Sequence, residues 1–139
     1  MFVTVFLAAY NPNSGETLYT SAGHNDQILF KVKEDDIELL SAKGAPLGVI
    51  SSDLHGPFSI KKASLAINDI LVLYTDGIVE AINSNDEQFG MERFIQFLKE
   101  NKDIHPQEIA EKIYQTVTEF AGNQPQFDDF TLTVLKRLK

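Results

Sequence analysis

The chain has 139 residues, 43% of them hydrophobic, which suits one domain with a core of its own. Twenty acidic residues against twelve basic ones give a formal charge of −8, which argues against a general nucleic-acid surface or adhesion to anionic membranes, since both need a basic face. Cysteine is absent, so disulfides, zinc-thiolate sites and a thiol nucleophile are excluded, and a reducing cytoplasm fits.

Residues 2–10 are apolar on both alternating faces apart from Thr4, the pattern of a strand covered on both sides. The run is shorter than the roughly 20 apolar residues of a membrane span, and it lacks the basic stretch of a signal peptide. Asn11-Pro12-Asn13-Ser14-Gly15 reads as a hairpin turn into a second strand over 17–22. After a turn at 23–27, strands are expected over 28–32 and 37–40. A loop at 53–57 leads to a strand around 58–63, and Asn68-Asp69 turns the chain into an apolar strand, 70–75, expected to be central and buried. The period then changes. Met91, Phe94, Ile95 and Leu98 follow helical spacing, as do Ile109, Ile113, Val117 and Phe120. Pro106 suits the first turn of the second helix and Gly122 its stop. A loop over 123–126 reaches Asp128 and a last strand, 130–135. No repeat or linker divides the chain, so residues 1–139 read as a single domain, or a large piece of one, of the α+β class.

Two acidic positions stand out. Asp76 follows the apolar strand, and Asp76-Gly77 alone is a common turn signal. Yet Ile78-Val79-Glu80-Ala81 follows, not a second alternating strand, which leaves the carboxylate on a rigid strand end. Asp128 and Asp129 precede the last strand. They read either as solvated loop acids or as like charges that need a cation or a donor between them. Strand-end carboxylates far apart in sequence are the raw material of an oxygen-ligand site for a hard divalent ion, Mn2+ or Mg2+. On that reading Asp76 and Asp128 lie within about 6 Å of each other, close enough to share one ion. His24 has no second histidine at ligand spacing and reads as a turn-stabilising side chain. His55 and His105 fall in unrelated loops. Gly44-Ala45-Pro46-Leu47-Gly48 lacks the Gly-Lys-Ser/Thr ending of a phosphate cradle and reads as a structured loop.

Four segments carry a resemblance in the right order: Ser21-Ala22-Gly23-His24-Asn25, Gly44 to Val49, Leu71 to Ala81, and Asp128-Asp129-Phe130-Thr131. Together they resemble the metal-dependent serine/threonine phosphatases of the stage II sporulation protein E type, the bacterial branch of the protein phosphatase 2C superfamily. The resemblance implies an antiparallel β-sandwich flanked by helices (αββα). It implies phosphoserine/phosphothreonine hydrolysis by water activated between two Mn2+ or Mg2+ ions, with no catalytic side chain apart from the metal site. Asp76 and Asp128 would be ligands of one ion, with Asp129 beside them orienting waters or accepting backbone hydrogens. Gly77, Gly44 and Gly48 would lie in loops near the site, and Glu80 would give capping or packing support. The implied setting is bacterial sigma-factor regulation by partner switching in the cytoplasm. There the substrate is a phosphorylated anti-anti-sigma-type domain, and a sensor or receiver module lies upstream. Two departures accompany the likeness. Asp26-Gln27 stand where the family commonly continues with proline. The family's Asp-x-x-Gly-x-Gly opening, whose aspartate bridges the two ions, is not found ahead of the first strand. The chain therefore reads as the C-terminal part of such a domain, expected by itself to hold at most one ion and to be barely active. The alternative is an inactive fragment or pseudophosphatase that docks a partner.

Overall fold

A computed structural model describes residues 1–126 and 128–139, with only the backbone of Ser52 and His55. In chain order the elements are β1 (Val5–Tyr10), β2 (Glu16–Ala22), β3 (Gln27–Lys31), β4 (Asp36–Leu40), α1 (Ser52–His55), β5 (Lys61–Ser64), β6 (Ile70–Tyr74), α2 (Gly90–Glu100), α3 (Pro106–Ala121) and β7 (Leu132–Lys136). They form a three-stranded sheet, β1-β2-β5, and a four-stranded sheet, β4-β3-β6-β7. Every ladder is antiparallel. The short α1 falls in the stretch expected as a loop, and β5 begins later than expected because its pairing with β2 runs only from Lys61 to Ser64.

The two sheets face each other across one core. Tyr19 and Ala63 from the first meet Leu29, Leu40 and Leu71 from the second, with Phe6, Ala8 and Tyr10 packed at the side. The opposite face of the four-stranded sheet carries Ile28, Phe30, Ile70, Val72 and Tyr74, on which α2 and α3 pack. Helix α2 buries Phe94, Phe97 and Leu98, and α3 buries Ile109, Ile113 and Val117. Each such side chain contributes roughly 1.5–3 kcal/mol of burial, so packing on the sheet, rather than helix propensity, holds both helices. His105 caps α3, its Nδ1 accepting from the Gln107 N–H at 3.3 Å, and Pro106 occupies the first turn as its fixed φ favours. The fold is thus an antiparallel β-sandwich with both long helices on one sheet.

Strand β6 is central, as its apolar run requires, with β3 on one side and β7 on the other. Ile70, Leu71, Val72 and Tyr74 are buried. The expectation for residues 2–10 is corrected. Strand β1 begins at Val5 and is an edge whose only ladder partner among the described residues is β2. Phe6, Ala8 and Tyr10 face the core, while Val5 and Leu7 face outward, Leu7 at 63% exposure. An apolar run cannot show by itself how many of its faces are covered. Among the described residues, no helix is long and apolar enough to cross a membrane.

A candidate metal centre at one end of the central strand

Both ends of β6 carry an aspartate. At the entry Asp69 is buried at 1% exposure. Its Oδ1 accepts from the Val32 N–H at 3.0 Å and its Oδ2 from the Ala66 N–H at 2.8 Å. Its carbonyl accepts from the N–H of Arg137, just past β7, at 3.1 Å.

At the exit the last ladder position is held by a side chain. Gln27, 1% exposed, accepts from the Tyr74 N–H through Oε1 at 2.6 Å and returns Nε2 to the Tyr74 carbonyl at 3.2 Å. The amide copies the two-way exchange of a strand neighbour, so Tyr74 stays paired where β3 ends. Asn25 adds a bond from Nδ2 to the same carbonyl at 3.3 Å. Gln27, which follows the Asp26 departure, thus serves the end of β6. Burial pushes the Tyr74 phenol above its ordinary pKa.

Past Tyr74 the chain does not form a hairpin. The Ile78 N–H donates to the Thr75 carbonyl and the Glu80 N–H to the Asp76 carbonyl, at 3.3 and 2.9 Å, winding 75–80 into a helical turn. Residues four apart on such a turn share a face, which places the Glu80 side chain beside that of Asp76. The third acid arrives from the other end of the sequence. The Thr75 hydroxyl donates to the Asp129 carbonyl at 2.6 Å and accepts from the Thr131 N–H at 2.9 Å, while the Thr75 N–H donates to the Thr131 carbonyl at 3.1 Å. Three bonds from one residue therefore fasten the segment before β7 to the end of β6. Gly77 permits the contact: a Cβ there would stand 2.6 Å from the Asp129 carbonyl oxygen and 3.2 Å from that of Asp128. A real Cβ does not tolerate the shorter approach, so glycine is required for packing, at an ordinary negative φ.

One carboxylate oxygen from each of Asp76, Glu80 and Asp128 lies within 4.8 Å of the others, and all three residues are exposed. Around an ion with ligands at about 2.1 Å, oxygens sit about 3.0 Å apart when adjacent and 4.2 Å when opposite. The observed spread closes onto such an ion with small rotations of exposed side chains. Among the described residues no hydrogen-bond donor reaches the Asp76 or Glu80 carboxylates; Asp128 Oδ1 accepts from the Asp129 N–H at 2.7 Å. Three exposed, near-unpaired carboxylates repel one another unless a cation sits between them, and an all-oxygen set suits a hard divalent ion. The residues fit the metal that the sequence suggested.

Glu80, expected to cap or pack, stands in the acid cluster; the signal available in sequence was its spacing of four from Asp76. The carboxylate of Asp129 is not in the cluster, and it is the backbone of Asp129 that the site uses. Gly44 packs under the Ser21 carbonyl and the Phe58 ring, and Gly48 lies against the Met1 carbonyl at φ +87°. His24 is held in its turn, with Ser21 Oγ bonded to both its N–H and its carbonyl at 3.2 Å and its Nδ1 3.0 Å from the Thr4 hydroxyl.

Beside the acids is a cavity of about 260 Å³, bounded by Gly77, Glu80 and Asp128 on one side and by Tyr114, Val117 and Phe130 on the other.

Comparison with known proteins shows the family. The family model for stage II sporulation protein E (SpoIIE) matches residues 1–138. The phosphoserine phosphatase RsbU of Bacillus subtilis is 32% identical over 139 residues, covering 99% of this chain and 39% of that protein. The chain therefore spans about two-fifths of that relative's length. Solved structures share the fold, among them the following two. The RsbU and RsbW domains of Rv1364c from Mycobacterium tuberculosis superpose with a TM-score of 0.76 at 23% identity, over 97% of this chain and 36% of that one. The phosphatase domain of the cell fate determinant SpoIIE from Bacillus subtilis gives 0.71 at 19% identity, over 97% and 56%.

Proposed function

The chain belongs to the stage II sporulation protein E family, and from that membership and the acid cluster we propose that it forms the metal-binding part of a phosphoserine/phosphothreonine protein phosphatase. The observation that carries this reading is the convergence of Asp76, Glu80 and Asp128 at the exposed end of β6. The three acids would hold Mn2+ or Mg2+, with waters completing the ion's shell. Bound there, such an ion supplies Lewis acidity toward a phosphoryl oxygen and lowers the pKa of water toward neutrality.

The chain's own residues do the rest. Three carboxylates would repel a phosphate ester, so the site can approach one only when their charge is compensated. Thr75 and Gly77 keep the Asp128 backbone against the β6 exit, which fixes the distance between two ligands 52 positions apart. Gln27 holds Tyr74, and with it the strand end that presents Asp76. A covalent protein nucleophile is not needed, consistent with a chain that contains no cysteine. Among the described residues the cluster offers three carboxylates, a set for one ion; a two-ion site takes a further acid. The family resemblance favours a phosphorylated anti-anti-sigma-type domain as the substrate, in a protein that couples this domain to a sensor or receiver module.

The test is Mn2+-dependent release of phosphate from a phosphoserine peptide and from 4-nitrophenyl phosphate by the intact protein. Turnover that appears with Mn2+ and vanishes with a chelator supports the reading. Mn2+ binding at the three acids without any turnover would favour the partner-docking alternative, because the cluster alone is a one-ion set. Turnover indifferent to both metal and chelator would contradict the proposal.

A further inference from the structure

We infer that the cavity beside the acid cluster is a pocket for an apolar side chain of the protein substrate, close in sequence to the phosphorylated residue. The inference rests on the phosphatase reading and adds a determinant of specificity to it. Glu80 and Asp128 belong both to the acid cluster and to the rim of this cavity. A phosphoserine whose phosphate is held at the cluster therefore lays its neighbouring residues across the opening.

The far wall is apolar and firm. Val117 of α3 is 5% exposed in the core, and the Tyr114 and Phe130 rings meet edge to face, 5.3 Å between centroids at 87°. Tyr114 is itself 54% exposed although aromatic, so the wall is reachable from outside. Size narrows the occupant: an apolar cavity of about 150 Å³ accepts a benzene-sized group, and 260 Å³ therefore admits one leucine, isoleucine or phenylalanine side chain. Charge narrows it further. A charged side chain of either sign would lose water against Val117 and Phe130.

The test uses the intact protein with Mn2+ and a set of phosphoserine peptides in which each of the three positions on either side is Ala, Leu, Phe or Asp in turn. At one flanking position Leu or Phe should raise kcat/KM about tenfold over Ala, and Asp should lower it, a discrimination of the size one apolar pocket provides. Ala121→Trp, from a half-buried position lining the cavity, should bring the Leu-to-Ala ratio to about one within the same variant. Tyr114→Ala, at an exposed position and therefore mild for folding, should cut that ratio at least severalfold. A peptide with a diazirine-bearing leucine at the preferred position should crosslink to residues 114–121. No preference at any position, a preference that survives both variants, or crosslinks that map elsewhere would overturn the inference while leaving the phosphatase reading intact. Failure to hydrolyse any phosphoester would bring down both.

Discussion

Asp69 and Asp76 bracket the same five-residue strand and do opposite things. Asp69 is buried and saturated, each carboxylate oxygen taking a backbone N–H. Asp76 is exposed, receives no donor from the described residues and faces two more carboxylates. Both are acids at strand ends, so that placement alone did not decide their roles. The difference lies in what surrounds them. A carboxylate supplied with protein donors is part of the scaffold. One set among other carboxylates has its charge left over for a ligand.

That contrast can be broken at either end of β6. The largest effect is expected for Asp76→Asn, which removes a ligand charge but keeps the shape of the turn. Mn2+-dependent hydrolysis of 4-nitrophenyl phosphate by the intact protein should fall on the order of a thousandfold or more, with the urea unfolding midpoint little changed. If the midpoint falls instead and activity per folded molecule persists, Asp76 is scaffold like Asp69. The mirror experiment is Asp69→Ala, which strands two buried N–H groups and should cost about 2–4 kcal/mol of stability in urea titrations. Mn2+ affinity of the protein that remains folded should stay within about threefold of the parent, since Asp69 stands at the far end of β6 from the acids. A metal-specific loss without destabilisation would erase the distinction drawn here.

Smaller effects sharpen it. Thr75→Val keeps the shape of the side chain but removes the hydroxyl that holds the Asp129 carbonyl and the Thr131 N–H. Mn2+ affinity, read by isothermal titration, should weaken about tenfold, as for other residues that orient metal ligands, and Thr75→Ser should restore most of it. If Ser fails to rescue, the methyl group rather than the hydroxyl matters. The smallest effect is expected for Glu80→Gln, about three- to tenfold in affinity, because Glu80 reaches the cluster on a longer exposed side chain with an extra rotatable bond, whereas Asp76 is held short at the strand end. An effect equal to that of Asp76→Asn would make Glu80 a principal ligand.

The sequence alone disclosed the parts of this arrangement that follow from local pattern. The unbroken apolar run of β6 gave a central strand with Asp76 at its exit, and the helical spacing of Phe94, Leu98, Ile109, Ile113 and Val117 gave both long helices. The pairing of Asp76 with Asp128 was also legible, since each acid adjoins a strand and the motifs occur in family order. What pattern could not disclose were contacts made by single side chains at long range. Thr75 reaches Asp129 and Thr131 across more than fifty positions, and Gln27 substitutes for a strand neighbour of Tyr74; neither leaves a period or a motif. Glu80 was legible in principle, but only once residues 75–80 were seen to form a helical turn. The outward face of β1 misled for the opposite reason. Val5 and Leu7 are apolar yet exposed, and apolarity alone does not report what lies opposite.

The central claim is that Asp76, Glu80 and Asp128 form one metal site. It is tested most directly by an anomalous difference map, recorded at the manganese edge, from crystals of the protein soaked in Mn2+. The account predicts a peak about 2.1–2.3 Å from a carboxylate oxygen of each of Asp76 and Asp128 and within reach of Glu80, absent from Asp76→Asn crystals treated the same way. A well-ordered acid cluster with no peak, or a peak that persists unchanged in Asp76→Asn, would contradict it.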